Sequence, residues 1–277
     1  TRAALLLALA VGAVALGLVR GGEWGWGRTE TVASFAVALL AGALFARHNA
    51  LSTTPFLDPT MLRVPSYAWA NAATFLFNAA FAAGLLANVL WMQSVWGYSA
   101  IRTGIAVAPG PLLVPVFAVV AQRLSFRFAV GRIAAVGSLL VAGSALYAIA
   151  VIGQEPSYLT EVLPGWLLAG VGVGLAMPTI LAAGTSSLPA ERTATGTAVV
   201  NMSRQIGAVL GVSLLIALLG TPIGYAAAHS AFVDIWWMTA GFSVLAAGAA
   251  LGLRGLGGVS EPTPSSMQET AVGPGKI

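Results

Sequence analysis

The chain has 277 residues, of which 58% are hydrophobic and only 8% are charged, and its formal net charge is +4. An average soluble domain carries about 25% charged residues, so this chain has too little polar surface for a soluble enzyme, a nucleic-acid-binding module or a disordered protein. The composition predicts an all-α polytopic membrane protein. Because the sequence has no cysteine, disulfide bonds and cysteine-ligated metals are excluded.

Eight apolar stretches follow one another along the chain, and each is long enough, or nearly so, to cross the hydrocarbon core as a helix. They are continuously apolar and lack the alternation of a transmembrane β-strand, so we predict eight transmembrane helices. The predicted spans are residues 3–19, 31–46, 69–93, 103–121, 133–152, 161–183, 194–219 and 231–253. The second is the shortest.

The longest internal polar stretch, with Pro55, Pro59 and Pro65, separates the first two spans from the last six. We therefore predict two linker helices in residues 1–50, a cytoplasmic loop in 51–67 and a six-helix unit in 68–254. Residues 255–277 are rich in Gly, Pro and Ser and are predicted to form a disordered cytoplasmic tail. The chain begins at Thr1 without a methionine, which favours a fragment with part of the protein upstream.

The cations predict the orientation. If the first helix starts in the cytoplasm, nine of the 13 cations lie inside, three lie outside and Arg204 lies within a span. The positive-inside rule selects this arrangement, and eight spans then put the C-terminus in the cytoplasm as well. Six tryptophans near the outer span ends are predicted to form an aromatic belt; they are Trp24, Trp26, Trp91, Trp96, Trp236 and Trp237. The preference for Arg over Lys indicates a GC-rich bacterial genome, so we predict a multi-pass protein of the bacterial cytoplasmic (inner) membrane.

The span at 69–93 carries a polar stripe. At about 100° per residue, polar and apolar side chains share one arc of the helix; they are Asn71, Thr74, Asn78, Phe81, Asn88 and Met92. Unsatisfied amides in hydrocarbon cost several kcal/mol each, so this stripe faces either neighbouring helices or a wet substrate cavity. Interhelical hydrogen bonding and a cavity remain open as alternatives.

Two prominent faces lie side by side on the span at 194–219. Gly196, Gly207 and Gly211 form a small-residue stripe, which predicts close approach of another helix. Asn201, Arg204 and Gln205 form a polar arc beside it, with Arg204 about ten residues into the span. An intramembrane cation needs water or a partner. Both a substrate cavity and a structural lock remain open for Arg204.

Prolines and glycines mark two further spans. Pro109, Pro111 and Pro115 interrupt the fourth predicted helix, and Pro178 follows a glycine run in the sixth that includes the candidate packing residues Gly170 and Gly174. Such kinks are tolerated where neighbours or cavities satisfy the freed backbone groups. In transporters, interrupted helices often lie near the substrate path, whereas simple packing kinks are the more frequent case in polytopic proteins.

The sequence carries none of the catalytic or metal-binding patterns that we sought. It has no Asp or Glu at the centre of a span, no pair of histidines at metal-ligand spacing, no phosphate-binding G-x-x-x-x-G-K and no G-x-S-x-G. We therefore predict that the chain is not an enzyme and holds no metal or organic cofactor.

Four segments, in register along residues 1–220, resemble one family. They are Glu23-Trp24-Gly25-Trp26; Trp91-Met92-Gln93 with Gly97-Tyr98-Ser99, Gly104 and Pro109-Gly110; Gly170-Val171-Gly172-Val173-Gly174 with Pro178, Leu188-Pro189 and Glu191-Arg192; and Gly196, Asn201, Arg204-Gln205, Gly207 and Gly211. The set resembles the C-terminal portion of the fourteen-span drug:proton antiporters of the major facilitator superfamily, the EmrB/QacA type. One loop departs from that family: residues 122–129 keep the cations and lack both glycines and the acid of its G-R-L-x-D-R-x-G pattern.

The resemblance implies a C-terminal transporter half preceded by two linker helices. Its implied partners are the N-terminal half of the same protein and the lipid bilayer. It implies efflux of small lipophilic, often cationic, drugs by alternating access, with the proton gradient as energy source and the proton-carrying carboxylates mostly in the other half. Two alternatives remain open. The protein is a dedicated exporter of an endogenous metabolite or antibiotic, or it is a non-transporting membrane scaffold or truncated product.

Overall fold

The computed structural model describes residues 2–52 and 56–253, and every regular element in these ranges is a helix. The ten α-helices are α1 (Arg2–Trp24), α2 (Thr29–Leu51), α3 (Pro59–Leu62), α4 (Pro65–Leu90), α5 (Ala100–Val107), α6 (Pro109–Leu124), α7 (Val130–Val151), α8 (Leu163–Ser186), α9 (Ala190–Leu219) and α10 (Tyr225–Leu251). A π-helical turn, Trp91–Val95, continues α4, and a second, Tyr158–Val162, leads into α8.

The prediction of an all-α protein with eight spans is confirmed. Within the described residues, eight helical segments are long and apolar enough to cross a membrane. They are Arg2–Trp24, Thr29–Leu51, Pro65–Val95, Ala100–Leu124, Val130–Val151, Tyr158–Ser186, Ala190–Leu219 and Tyr225–Leu251. The helices extend past the predicted apolar stretches because helical hydrogen bonding continues into polar sequence at the span ends. The predicted tail at 255–277 lies outside the described residues, and the division into linker pair and six-helix unit stays a prediction.

The last six spans pack as a series of neighbours. Helix α4 lies between α9 and α10, α10 packs on α7, α7 on α8, and α8 on α6, while α4 also contacts α8 directly. Helices α1 and α2 form a hairpin, and α1 lies against α9. Helix α9 and the fourth span, α5 with α6, which stand at the two ends of the series, are less buried than α4, α7, α8 and α10.

Small residues bring the helix backbones together. At the α7–α8 crossing, a Cβ on Gly137 would lie 2.6 Å from the Gly172 carbonyl oxygen, and one on Gly172 would lie 2.5 Å from that of Gly137. Gly207 and Gly211 of α9 lie in the same way against the backbone of Phe75 and Ala79 in α4. Since lipid is as apolar as the side chains, such close packing replaces the hydrophobic effect as the source of helix association.

Gly196, the third residue of the α9 stripe, packs differently. It lies against the side chains of Leu188 and Met61, and its carbonyl accepts a 3.0 Å hydrogen bond from the Tyr67 hydroxyl. Gly170 and Gly174 of α8 meet α6 instead, against the Gly110 carbonyl group and the Cβ of Phe117.

The segment before α4 is fastened to both α2 and α9. The Asn49 side chain makes two hydrogen bonds with the backbone of Leu57, of 2.7 and 2.9 Å. Arg192, at the start of α9, donates to the Thr60 hydroxyl at 2.8 Å and lies 3.2 Å from the Asp58 carboxylate. These contacts join the α2–α4 connection to the first turn of α9 at one end of the bundle.

Aromatic side chains fill the other end of the bundle. Trp91 packs against Phe232 and Trp236 with ring centroids 5.1 and 5.5 Å apart. Both tryptophans are fully buried, so the prediction that they belong to a lipid-facing aromatic belt is wrong. Their rings fill the space between α4 and α10. Hydropathy alone does not distinguish a tryptophan buried in this way from one at the membrane interface.

We predict that Gly207→Ala lowers the free energy of unfolding by about 1–3 kcal/mol, the usual cost of overpacking. A Cβ at Gly207 would overlap the Phe75 carbonyl group, lying 3.0 Å from its carbon. Gly248→Ala in α10 is the control, because nothing lies within 4 Å of its Cβ position. Denaturant unfolding in detergent micelles measures both variants. Equal stability of the two would show that α4 and α9 do not approach as described.

A second prediction concerns Asp58. Hydrogen bonds from the Thr60 hydroxyl and backbone N–H, with a smaller contribution from Arg192, hold the pKa of this carboxyl below its usual 3.8. The charge therefore stabilises the fold above pH 3.8, and this contribution is lost as the pH falls through the lowered value. We expect Asp58→Asn to unfold at a lower temperature than the wild type at pH 5–7 and to match it once Asp58 is protonated. A temperature gap that does not narrow as the pH is lowered through the acid range and Asp58 becomes protonated would contradict this.

Candidate functional site

A cavity of about 230 Å³ lies where α4, α6, α8 and α9 meet. Most of its wall is apolar, and four side chains add polar groups: Thr74 and Asn78 from α4, and Asn201 and Arg204 from α9. The apolar wall comprises Phe77, Val114, Ala118, Met177, Pro178, Ile180, Leu181 and Val200. A largely apolar pocket with a few convergent polar groups is typical of small-molecule sites.

The cavity's two amides are held by their own helices. Asn78 Nδ2 donates to the Thr74 carbonyl at 2.8 Å, and Asn201 Nδ2 donates to the Thr197 carbonyl at 3.1 Å. These bonds fix the orientation of each amide without a partner from a neighbouring helix.

The other two polar side chains are not held in this way. The Thr74 hydroxyl is buried and has no hydrogen-bond partner among the described residues. Arg204 is half-buried, and no carboxylate in the described ranges forms an ion pair with it. Of the two, the Arg204 guanidinium is the group open to the cavity, and it has no partner in the described part of the chain.

The predicted stripe on α4 divides among three environments. Asn71 accepts a 2.9 Å hydrogen bond from Ser203 on α9, so it joins two helices, while Thr74 and Asn78 line the cavity. Phe81 and Asn88 line a narrow cleft beside Trp166 and Trp236, and Met92 is buried in the aromatic core. Gln205 of the predicted polar arc is exposed on α9. The assignment of all these residues to one substrate cavity stays a prediction.

Arg204 stands near the middle of a long helix. Helix α9 begins at Ala190, four residues before the predicted span, and Arg204 lies about 20 Å along its 30 residues from either end. The first turns of α9 are polar and Arg192 there pairs with Asp58, so the helix extends beyond its apolar run and this distance is not a depth in the membrane.

A larger space of about 920 Å³ adjoins this cavity and shares Ala118 and Pro178 with it. It is lined by α6, α8 and the α6–α7 connection as far as Phe128 and Ser186. No charged residue is among those that line it. We call it the vestibule. It extends along α6 and α8 to the α6–α7 connection, and Ala118 and Pro178 separate it from the smaller cavity.

The interrupted fourth span is braced by aromatic side chains. Pro111 has no N–H, so the Val107 carbonyl lacks its helical donor, and Trp166 Nε1 donates to it at 2.7 Å. The neighbouring Ala106 carbonyl accepts from the Tyr158 hydroxyl at 2.8 Å. Pro109 begins α6, and Pro115 and Pro178 lie inside α6 and α8. The break between α5 and α6 is therefore closed by protein contacts, and of the four predicted kink prolines only Pro178 lines the cavity.

Sequence reasoning missed the α6 and α8 walls of the cavity. Val114, Met177 and Ile180 are apolar residues in apolar spans, and no periodic signal separates them from core or lipid-facing positions. Pro178 was the one available signal, because a helix-breaking residue near a polar stripe indicates a site as well as a kink.

The chain is similar to several proteins of known family. The profile of the Major Facilitator Superfamily matches residues 2–212. The Methylenomycin A resistance protein of Streptomyces coelicolor is 29% identical over 252 residues, which cover 91% of this chain and 50% of that protein. The Multidrug resistance protein Stp of Mycobacterium tuberculosis is 30% identical over 78% of this chain and 40% of its own length. The Tetracenomycin C resistance and export protein of Streptomyces glaucescens is 28% identical over 84% and 42%. The chain thus spans about half the length of these curated relatives.

We predict that Trp166→Phe destabilises the protein by about 1–3 kcal/mol, because the Val107 carbonyl is left without a donor inside the bundle. Trp237→Phe is the matched control, since Trp237 is 56% exposed. Thermal unfolding of both variants in detergent measures the difference. If the two substitutions have equal effects, the brace contributes nothing to stability.

Proposed function

The chain belongs to the major facilitator superfamily, and on that premise we propose that it forms part of an exporter of small lipophilic molecules, driven by proton influx and working by alternating access. The family and the relatives reported above are transporters and resistance proteins, not enzymes. The observation that carries the proposal is the cavity between α4, α6, α8 and α9. Its apolar wall suits a lipophilic body, and its four polar side chains suit orientation of that body.

The position of the cavity supports transport rather than scaffolding. Arg204 stands about ten residues into its predicted span, where a charge costs several kcal/mol unless water or a ligand reaches it. A scaffold gains nothing from that cost, whereas a transporter opens such a site to each side of the membrane in turn. The vestibule supports access from the α6–α7 side, which the positive-inside rule assigns to the cytoplasm.

We propose that a second six-helix unit covers the less buried faces of α6 and α9 and closes the cavity. In this arrangement the proton-carrying carboxylate belongs to that unit, because no Asp or Glu is among the residues that line the cavity. The lipid bilayer of the bacterial cytoplasmic membrane surrounds the assembly, with the arginine-rich end inside. Proton coupling and this partner rest on the family resemblance.

A dedicated exporter of one endogenous antibiotic is the second candidate. It is favoured by relatives whose names specify single antibiotics, which are methylenomycin A, tetracenomycin C and cephamycin. A narrow range of exported compounds, with one strongly preferred, distinguishes this candidate from multidrug efflux.

Expression from the complete gene in an efflux-deficient bacterium tests the proposal. We expect lower accumulation of lipophilic dyes or antibiotics, restored to the empty-vector level when a protonophore collapses the gradient. Asn78→Ala is expected to reduce flux at normal abundance, whereas Asn71→Ala, at the α4–α9 contact, is expected to reduce abundance first. Unchanged accumulation for every compound, with the protein present in the membrane, would refute the proposal.

A further inference from the structure

We infer that the cavity around Arg204 recognises an anionic group, so that the preferred cargo is a lipophilic molecule that carries a carboxylate or a similar oxyanion. This inference rests on the proposed transport function and adds the chemical class of the cargo. Arg204 is the one charged side chain among the residues that line the cavity. The wall around it comes from apolar residues and neutral amides.

The described part of the chain offers no internal counter-charge. Asp58 already pairs with Arg192 at the end of the bundle. Glu191 lies in the first turn of α9, thirteen residues before Arg204 and therefore about 20 Å away along the helix. Asp234 lies on α10, a helix that contributes no residue to the cavity wall.

Thr74 lines the same cavity but does not add a donor to the anion site. Its hydroxyl has no partner among the described residues, and the oxygen is fully buried and out of reach from the cavity. The guanidinium of Arg204 is therefore the group that donates to a ligand oxyanion.

The amides beside them complete the geometry. Asn78 and Asn201 each commit an N–H to their own helix, so the principal free donors are those of Arg204. The planar guanidinium presents paired N–H groups that match a carboxylate in a bidentate arrangement. Phe77 and Met177 then contact the apolar body of the ligand.

This arrangement disfavours the cationic cargo that the family resemblance implies. Two like charges a few ångströms apart repel strongly where water is scarce, and the residues that line the cavity include no acid to offset Arg204. The vestibule carries no charge of either sign, so it passes acids and neutral compounds without selecting between them. Selection by charge therefore occurs at Arg204.

Three compounds with the same aromatic body test the inference, one with a carboxylate, one with a carboxamide and one with an aminomethyl group. The protein is expressed from its complete gene, and binding is measured by equilibrium dialysis of the purified protein alongside uptake into everted vesicles. We expect the acid to bind at least tenfold more tightly than the amine. Arg204→Gln is expected to abolish that preference while amide binding changes less than threefold, and Arg204→Lys is expected to retain part of it.

Arg47→Gln is the matched control, because Arg47 is an exposed cation on α2 that lines neither the cavity nor the vestibule. Equal binding of acid and amine by the wild type would overturn the inference, as would an acid preference that survives Arg204→Gln. Stronger amine binding in Arg204→Gln than in the wild type would instead reveal a carboxylate partner for Arg204 elsewhere in the complete protein. Acid-selective binding without uptake would refute the transport function and leave the anion site standing.

Discussion

The absence of water from the hydrocarbon core governs this structure, because every polar group within a span needs a partner inside the protein. Many side-chain hydroxyls find their partner within their own helix. Those of Ser138, Ser213, Thr239 and Ser243 each donate to the carbonyl four residues earlier. Where Pro111 removes the donor to the Val107 carbonyl, Trp166 reaches across to replace it. Three buried side-chain atoms have no partner in the described ranges, the indole nitrogens of Trp91 and Trp236 and the Thr74 hydroxyl. The two indoles lie among aromatic rings, whereas Thr74 lies in the cavity beside Arg204.

Much of the fold could be predicted because the lack of water in the hydrocarbon core restricts which residues a span can contain. A span needs an apolar run of fixed length, so all eight were found, and close helix crossings need small residues, so Gly207 and Gly211 were identified before any contact was known. The helix ends were less accurate, since α9 continues four residues past its apolar run at Ala190. The added residues are mostly polar, so they lengthen α9 without changing the depth that the sequence predicts for Arg204.

The candidate site was only half visible in the sequence. Polar residues stand out in an apolar span, so Thr74, Asn78, Asn201 and Arg204 could be named. Their periodicity gives one face of one helix, however, and α4 meets different neighbours along its length. Asn71 therefore contacts α9, while Asn88 faces Trp166 and Trp236. The apolar wall from α6 and α8 depends on which spans are adjacent, and a single sequence does not encode that in any local pattern.

The brace at the proline break has a mechanical consequence. Trp166 and Tyr158 tie the α5–α6 junction to α8, while the glycine contacts and the Asn71–Ser203 bond tie α4 to α9. The cavity thus lies between two helix pairs, α4 with α9 and α6 with α8. Helix α4 also contacts α8 directly, so the two pairs are joined beside the cavity that Arg204 lines.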